Sequence, residues 1–134
     1  MTSETDPVEA EEYVLRRILN KADYIDPALK MPVSRLAFGP TKKDTTGISL
    51  FRSLFALPKE VADTGTNSAG YWVAELPVAT VFNFKLAVNP SPRPTGPRGH
   101  CLIPEIRTDT QKQTRADQLK LAELASARLV FKPA

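Results

Sequence analysis

The chain carries its only histidine and its only cysteine side by side, as His100 and Cys101. Imidazole and thiol groups are well suited to act as bases, nucleophiles or metal ligands. Because successive side chains of a β-strand point to opposite faces, a strand over 100–103 turns these two groups apart and disfavours a Cys–His pair. Cys101 also lies in an apolar run, where a buried, unreactive thiol is the common outcome. The sequence therefore predicts no catalytic residue.

His100 follows a proline-rich segment, 90–97, whose alternating prolines predict an extended, polyproline-like loop. At that position the imidazole either serves a ligand or is satisfied by local hydrogen bonds at the start of a strand. The segment also contains a PxxP spacing, Pro94-Thr-Gly-Pro97. Capture by a proline-binding groove is open, but a stiff connector at a sheet edge is favoured because PxxP is short and frequent.

Other kinds of chemistry lack their usual motifs. The sequence contains neither GxxxxGK[ST] nor GxGxxG, and it contains no HExxH, no GxSxG and no paired-cysteine spacing. A single cysteine excludes an internal disulfide and a multi-cysteine zinc site within one chain. We therefore expect no cofactor and no bound metal.

Charge is distributed unevenly along the chain, whose formal net charge is +3. Residues 1–12 hold five acidic and no basic side chains, which leaves 18 basic and 10 acidic side chains in residues 13–134. A basic body favours an anionic partner, such as nucleic acid, a phosphorylated ligand or an acidic protein. Because the basic residues are spread along the chain, a solvated surface is the favoured interpretation. An acidic leader that folds back would also mask the basic body.

The N-terminal residues and the hydropathy pattern indicate where in the cell the protein is located. No apolar run approaches the roughly 20 residues that a bilayer-spanning helix needs. The first residues are acidic, whereas a secretory signal is basic and then apolar. We expect a cytoplasmic protein that does not engage a membrane.

The length of 134 residues suits one domain. We expect an acidic leader over 1–12, either flexible or folded back, and a single domain over 13–134. Asp6-Pro7-Val8-Glu9 has the order of a helix N-terminus, and the apolar spacing behind it predicts a helix over 7–20. The alternative is a strand over 13–19 behind an acidic tail.

The following segments are rich in proline and turn residues. Three prolines predict an ordered loop over 23–40, with a short strand at 35–38. The polar turn 39–47 predicts a hairpin onto 48–55, a segment that also suits a helix. The remaining predicted elements are short helices over 58–63 and 77–84, strands over 71–76, 85–88 and 100–103, a surface loop over 64–70, and a C-terminal helix over 110–130.

These elements predict an α+β fold. We expect a small single domain with a short, mostly antiparallel or mixed sheet, a C-terminal helix and long ordered loops.

A succession of short motifs runs through most of the chain, namely Leu15-Arg-Arg-Ile18, Asp26-Pro27, Ser34-Arg-Leu-Ala-Phe38, Asp44-Thr-Thr-Gly-Ile-Ser49, Tyr71-Trp-Val-Ala74 and Gly99-His-Cys-Leu-Ile-Pro-Glu105. This succession resembles a set of short bacterial accessory proteins of uncharacterised function. The resemblance implies no catalytic residue, cofactor or established partner, and it is equally compatible with a first strand at the leucine-arginine segment. The polar anchors that it implies are Arg16, Arg35, Asp44, Ser49 and His100.

The leading functional hypothesis is a non-catalytic accessory module that binds another protein through loops 23–47 and 90–100. Loops on a rigid scaffold often carry recognition, and both segments contain charged residues. The predicted binding residues are Arg35, Lys42, Lys43, Asp44, Arg98 and His100. Together with Arg93, the basic members of this set would frame an anion site if folding brings their segments together.

Two other classes of function are open. A toxin-like transferase or other enzyme would bind an anionic substrate with Arg35, orient it with His100, and use a carboxylate such as Asp44 or Glu105 as the base. A nucleic-acid binder would use the basic residues of the last helix and of the polar turn, and its affinity would fall steeply with salt. Those residues are Arg115, Lys120, Arg128, Lys42 and Lys43.

Overall fold

Six strands form one antiparallel sheet in a computed structural model, which describes residues 2–134. The strands are β1 (Tyr13–Leu19), β2 (Ile48–Arg52), β3 (Tyr71–Pro77), β4 (Asn89–Pro90), β5 (His100–Ile103) and β6 (Leu129–Phe131). The helices are α1 (Pro58–Asp63), α2 (Val78–Asn83) and α3 (Arg115–Ser126), with short 3₁₀ turns at Arg35–Phe38 and Thr108–Thr110. The spatial order of the strands is β4-β5-β2-β1-β3-β6. The predicted small single α+β domain with an antiparallel sheet is therefore confirmed.

The first element is a strand, so the predicted helix over 7–20 is wrong. All seven residues of β1 pair with β3, from Tyr13 opposite Pro77 to Leu19 opposite Tyr71. Val14 and Leu15 lie on opposite faces of β1 and are both fully buried. A helix would turn one of its sides to solvent, whereas this segment must bury side chains on both faces of an interior strand. Pairing with neighbouring strands outweighs the local helix-start signal.

The two faces of the sheet carry separate hydrophobic clusters. On the first face, Val14 and Ile18 pack in a large cluster with the helices α2 and α3. On the second face, Leu15 and Phe51 pack in a smaller cluster with helix α1. We call these the α3 face and the α1 face. Because side chains alternate along each strand, neighbouring residues of β1 and β2 serve different faces.

Several later elements follow the predictions. Residues 48–52 form the strand β2, the short helices begin at Pro58 and Val78, and the strands β3 and β5 lie where aromatic and branched residues predicted them. The C-terminal helix exists, but it spans Arg115–Ser126 and is shorter than the predicted 110–130. Its last predicted residues instead lead into β6, which pairs with β3.

Three other predicted features differ from the structure, which are the strand at 35–38, the hairpin and the strand at 85–88. Arg35–Phe38 is a 3₁₀ turn rather than a strand, and the Ser34 side chain accepts a hydrogen bond from the Leu36 N–H at its start. The hairpin does not form, because β2 pairs with β1 on one side and with β5 on the other. The strand predicted at 85–88 is displaced to Asn89–Pro90. Lys85 lies in the left-handed region at φ 64°, which interrupts an extended chain.

The acidic leader lies against the body through one buried arginine. The Arg52 guanidinium, which is fully buried, forms two hydrogen bonds with the Glu12 carboxylate, at 2.9 and 2.8 Å. It also donates to the main-chain carbonyl groups of four leader residues, which are Ser3, Glu4, Asp6 and Pro7. The leader thus supplies the groups that satisfy a charge at the end of β2.

Within residues 2–134, no helix combines the length and the apolar character required to cross a bilayer. The same part of the chain holds no group of three or more histidine, cysteine, aspartate or glutamate side chains arranged to hold a metal ion.

Candidate functional site

Strands β1 and β2 diverge at the centre of the sheet, and we call this point of divergence the fork. β1 pairs with β3 along its whole length but with β2 at only two positions, Val14 opposite Arg52 and Leu15 opposite Phe51. From Arg16 onward β1 and β2 are no longer paired. The pairing of β2 continues on its other side, where residues 48–51 face β5. An interior strand thus has an edge without a partner strand over its last four residues.

The side chain of Arg16 bridges this fork. Its Nε and Nη2 atoms donate to the carbonyl oxygen of Ala37 at 3.0 and 2.7 Å, and its Nη1 donates to the carbonyl oxygen of Ser49 at 2.7 Å. The guanidinium carbon lies 5.5 Å from the centroid of the Phe38 ring. Arg16 therefore replaces the missing strand pairing with hydrogen bonds to two separate segments.

Both of these acceptors are uncharged carbonyl groups. The ion pairs among residues 2–134 are Arg52–Glu12, Lys59–Asp63, Arg98–Glu4, Arg107–Asp109 and Arg128–Glu75, and Arg16 takes part in none of them. Burial lowers the pKa of Arg16 to about 10, while the charge of Asp44 opposes that shift. This pKa is far above neutral, so Arg16 holds a positive charge that no carboxylate of residues 2–134 contacts.

Arg17 points to the α1 face. Its Nη1 donates to the carbonyl oxygen of Val61 at 3.1 Å and to Thr64 Oγ1 at 3.2 Å. Its guanidinium carbon lies 5.1 Å from the centroid of the Tyr71 ring and 6.0 Å from that of Phe51. Burial lowers the pKa of Arg17, the Tyr71 hydroxyl opposes this shift, and the charge of Arg93 adds to it. Arg17 likewise belongs to none of the ion pairs formed by residues 2–134.

A cavity of about 350 Å³ lies along the open edge of β1. One wall is the strand segment 16–19, and the opposite wall comes from the loop residues Leu36, Ala37, Gly39, Pro40 and Thr41. Asp23, Tyr24, Tyr71 and Gln111 complete the lining. This volume lies within the range of small-ligand sites, roughly 300–1,000 Å³. We call it the fork cavity, and its lining residues include aliphatic side chains, two arginines and one aspartate.

The predicted binding residues of the polar turn act mainly within their own loop. The Asp44 carboxylate accepts hydrogen bonds from the backbone N–H and the hydroxyl of Thr41, at 2.7 and 3.1 Å. The Asp44 carbonyl oxygen accepts from the backbone N–H of Thr108. Lys42 and Lys43 are exposed. Asp44 therefore shapes the loop beside the fork cavity.

The other predicted residues have different partners. Arg35 donates to Gln118 Oε1 at 3.3 Å, whereas Arg98 pairs with the Glu4 carboxylate at 3.2 Å. Within residues 2–134, neither a side-chain hydrogen bond nor an ion pair joins Arg35, Lys42 or Lys43 to Arg98. These contacts do not assemble the basic residues into the anion site that the sequence suggested.

His100 is buried on the α1 face. Its Nδ1 lies 2.7 Å from the carbonyl oxygen of Ser91, and its Nε2 lies 3.0 Å from Ser49 Oγ. Its ring meets that of Phe51 edge to face, with 5.5 Å between centroids. Cys101 packs in the cluster of the α3 face, so the imidazole and the thiol point apart, as strand alternation predicted. Burial raises the pKa of the Cys101 thiol to about 12, which leaves it protonated and unreactive.

Sequence reasoning named Arg16 only as a polar anchor and did not identify Arg17 as part of a site. The available signal was the adjacent pair Arg16-Arg17 inside a segment that can form a strand. Two neighbouring arginines in an interior strand must point to opposite faces, and each then needs buried acceptors. The divergence of β1 from β2, which creates the cavity, has no local sequence signal.

Comparison with known proteins yields no match, whether to a protein-family model, to a curated protein or to a solved structure.

Proposed function

We propose that this protein is a binding module that receives an acidic side chain of a protein partner in the fork cavity. The observation that carries the proposal is Arg16, which lines the cavity and whose guanidinium contacts carbonyl groups but no carboxylate of residues 2–134. A partly desolvated arginine attracts an anion more strongly than a hydrated one, because fewer water molecules screen the interaction. A carboxylate of the partner would supply the missing counter-charge.

The lining of the cavity favours a side chain with an apolar stem. Ile18, Leu19, Leu36 and Pro40 provide aliphatic surface. Tyr24 adds a hydroxyl group that can donate a hydrogen bond to a carboxylate. Glutamate combines a carboxylate with two methylene groups, so it matches both kinds of surface. The loop residues at this cavity belong to the segment 23–47, where the sequence predicted recognition of a protein.

A nucleic-acid interface is less well supported. Of the basic residues around the last helix, Arg128 pairs with Glu75, and the Lys120 ammonium lies 5.7 Å from the centroid of the Phe84 ring. These contacts engage side chains that would otherwise be free for phosphate groups. Duplex recognition depends on a continuous basic surface, whereas the uncompensated charge of Arg16 lies at a cavity of side-chain dimensions.

The test is a titration with blocked glutamate, N-acetylglutamate amide, followed by two-dimensional NMR of the labelled protein. We expect saturable shifts at the backbone amides of Tyr24, Thr41 and Gln111, and we expect Arg16→Met to weaken the affinity at least tenfold. Arg107→Met is the matched control, because Arg107 lies outside the fork cavity and pairs with Asp109. It should leave the shifts unchanged.

Partner capture extends this test to longer sequences. On an array of acidic peptides, wild-type protein should retain glutamate-containing spots that the Arg16→Met protein loses. Arg16→Lys keeps the positive charge but lacks the forked donor geometry, so it should bind with intermediate affinity. Equal binding by folded Arg16→Met and wild-type protein would refute the proposal.

A further inference from the structure

A second constellation lies on the α1 face, where β2 and β5 run side by side. Ser49 of β2 and His100 of β5 are diagonal neighbours, since Phe51 is opposite His100 and Ser49 is opposite Leu102. Diagonal side chains on one face are close enough to meet. The Ser49 hydroxyl oxygen and His100 Nε2 lie 3.0 Å apart, which is hydrogen-bonding distance for a nucleophile and its base.

The ring of His100 is held in one tautomer. The carbonyl oxygen of Ser91 can only accept a hydrogen bond, so the Nδ1 atom 2.7 Å away carries the proton. In the neutral imidazole, Nε2 then has a lone pair and accepts the hydrogen bond from the Ser49 hydroxyl. The Ser91 backbone N–H donates in turn to the carbonyl oxygen of His100 at 2.9 Å, which fixes the two residues to each other. A backbone carbonyl thus takes the orienting role that a carboxylate takes in a catalytic triad.

The surroundings keep the imidazole in its basic form. Burial lowers the pKa of His100, the hydrogen bond to Ser91 opposes this, and the charges of Arg93 and Arg17 lower the pKa further. Among residues 2–134, no carboxylate forms a hydrogen bond or ion pair with the ring, and its two polar partners are a carbonyl and a hydroxyl. At neutral pH the imidazole is therefore ready to accept a proton.

An arginine lies beside the hydroxyl. Arg93 Nη2 is 3.5 Å from Ser49 Oγ, and Arg93 itself is exposed. Among residues 2–134, neither Arg93 nor Arg17 forms an ion pair. Ser49 is half-buried, and its hydroxyl lies between the buried imidazole and the exposed arginine. A guanidinium at this position can stabilise the negative charge that develops on the oxygen of a carbonyl group when Ser49 Oγ attacks its carbon.

We propose that Ser49 is a nucleophile, with His100 as its general base, that accepts acyl groups from small carboxylic esters bearing a negative charge. Ser49 Oγ attacks the ester carbonyl carbon while its proton passes to His100 Nε2, and Arg93 stabilises the oxyanion. The bond from carbon to the leaving oxygen then breaks, and His100 returns the proton to that oxygen. Water cleaves the acyl-serine by the same route, releasing the acid and restoring Ser49. This inference is independent of the fork cavity.

The experiment uses a fluorophosphonate probe and intact-protein mass spectrometry. Serine attack on the probe forms a phosphorus–oxygen bond, expels fluoride and leaves one stable adduct. We expect a single adduct at Ser49, none on the Ser49→Ala protein, and labelling of His100→Gln that is at least roughly 100-fold slower, as for loss of a general base. Ser68→Ala, which removes an exposed loop serine, is the control and should be labelled at the wild-type rate.

Two further measurements keep the test valid if His100→Gln does not fold. The labelling rate of the wild-type protein should rise with pH through a midpoint below 6.5, because neutral His100 is the base. Arg93→Gln, an exposed change, should slow labelling while circular dichroism stays unchanged. An adduct on another serine, a pH-independent rate, or wild-type labelling no faster than that of Ser49→Ala would overturn the assignment and leave the pair as a structural hydrogen bond.

Discussion

Two arginines of the central strands, Arg52 of β2 and Arg16 of β1, have very different hydrogen-bond partners. The Arg52 guanidinium has the Glu12 carboxylate across from it and four carbonyl groups of the leader around it. The Arg16 guanidinium has two carbonyl groups and no carboxylate. One charge is neutralised by the chain itself, whereas the other is only solvated by it.

The difference separates a structural charge from a charge available to a ligand. Removing a guanidinium from water costs several kcal/mol, and a bidentate carboxylate with further hydrogen bonds offsets that cost. Arg52 meets this condition, and its pKa is raised chiefly by the hydrogen bonds that it donates to Glu12, with burial opposing. Arg16 does not meet it, and its pKa is lowered by burial. An anion that entered the fork cavity would supply the negative charge that Arg16 lacks, and its binding would be stabilised by that interaction.

The largest effect should come from removing Arg52. Arg52→Met leaves the Glu12 carboxylate buried without its positively charged partner, so we expect a loss of about 3–5 kcal/mol in the free energy of unfolding. Urea denaturation monitored by Trp72 fluorescence measures this loss. The control is Lys59→Met, which removes an exposed helical ion pair with Asp63 and should cost no more than about 1 kcal/mol. Similar losses for the two variants would contradict the structural role of Arg52.

A backbone change near Arg52 should have the next largest effect. Gly99 has φ +81°, and a Cβ there would lie 2.9 Å from Phe55 Cβ and 3.1 Å from the Arg52 carbonyl oxygen. Gly99→Ala should therefore cost about 2–4 kcal/mol, from left-handed strain together with overpacking. Gly96 has φ +83° with open space around it, so Gly96→Ala should show the strain alone, about 1–2 kcal/mol. Thermal unfolding of both variants would test this, and equal losses would exclude a packing contribution at Gly99.

Replacing Arg16 should cost less stability than replacing Arg52. Arg16→Met leaves the carbonyl groups of Ala37 and Ser49 without these donors, but it leaves no buried charge without its counter-charge. We therefore expect a loss of about 1–3 kcal/mol in the free energy of unfolding. Urea denaturation under the conditions used for Arg52→Met allows a direct comparison. A loss as large as that of Arg52→Met would mean that Arg16 is primarily structural. It would contradict the assignment of different roles to the two arginines.

The pH dependence should be the most subtle effect. Burial would raise the pKa of Glu12, but hydrogen bonds from Arg52 and from the Glu9 backbone N–H outweigh it, so the pKa lies below the ordinary value of 4.5. A carboxyl group with a lowered pKa stabilises the fold fully above its unfolded pKa, and this contribution is lost as pH falls through the folded pKa. The stability advantage of the wild-type protein over Glu12→Gln should thus be constant above pH 4.5 and shrink below it.

A double-mutant cycle isolates this pH effect. In the Arg52→Met background, Glu12 lacks the guanidinium that lowers its pKa. The effect of Glu12→Gln on the free energy of unfolding should therefore change over a different pH range from that in the wild-type background. Chemical denaturation between pH 3 and pH 7 supplies all four curves. An identical pH profile of the Glu12→Gln effect in both backgrounds would show that Arg52 does not control the titration of Glu12.

Much of the α+β architecture was predictable because its signals are local. Pro58 and the glutamate two residues later define the start of α1, and the glycine-rich segment 64–70 defines the loop after it. Alternation along 100–103 predicted that the His100 and Cys101 side chains would point apart. In these cases the residue types constrain the backbone within a few positions, so no distant partner is needed to predict the result.

What the sequence by itself determined, therefore, was the identity and spacing of the groups that carry chemistry. Tertiary structure alone decided which of them meet. β1 is a strand because it is buried between two others, and Ser49 meets His100 because β2 pairs with β5 across fifty intervening positions. Glu12 reaches Arg52, but within residues 2–134 no carboxylate pairs with Arg16. Charge compensation depends on which distant segments fold against each arginine, and local propensity holds no information about that.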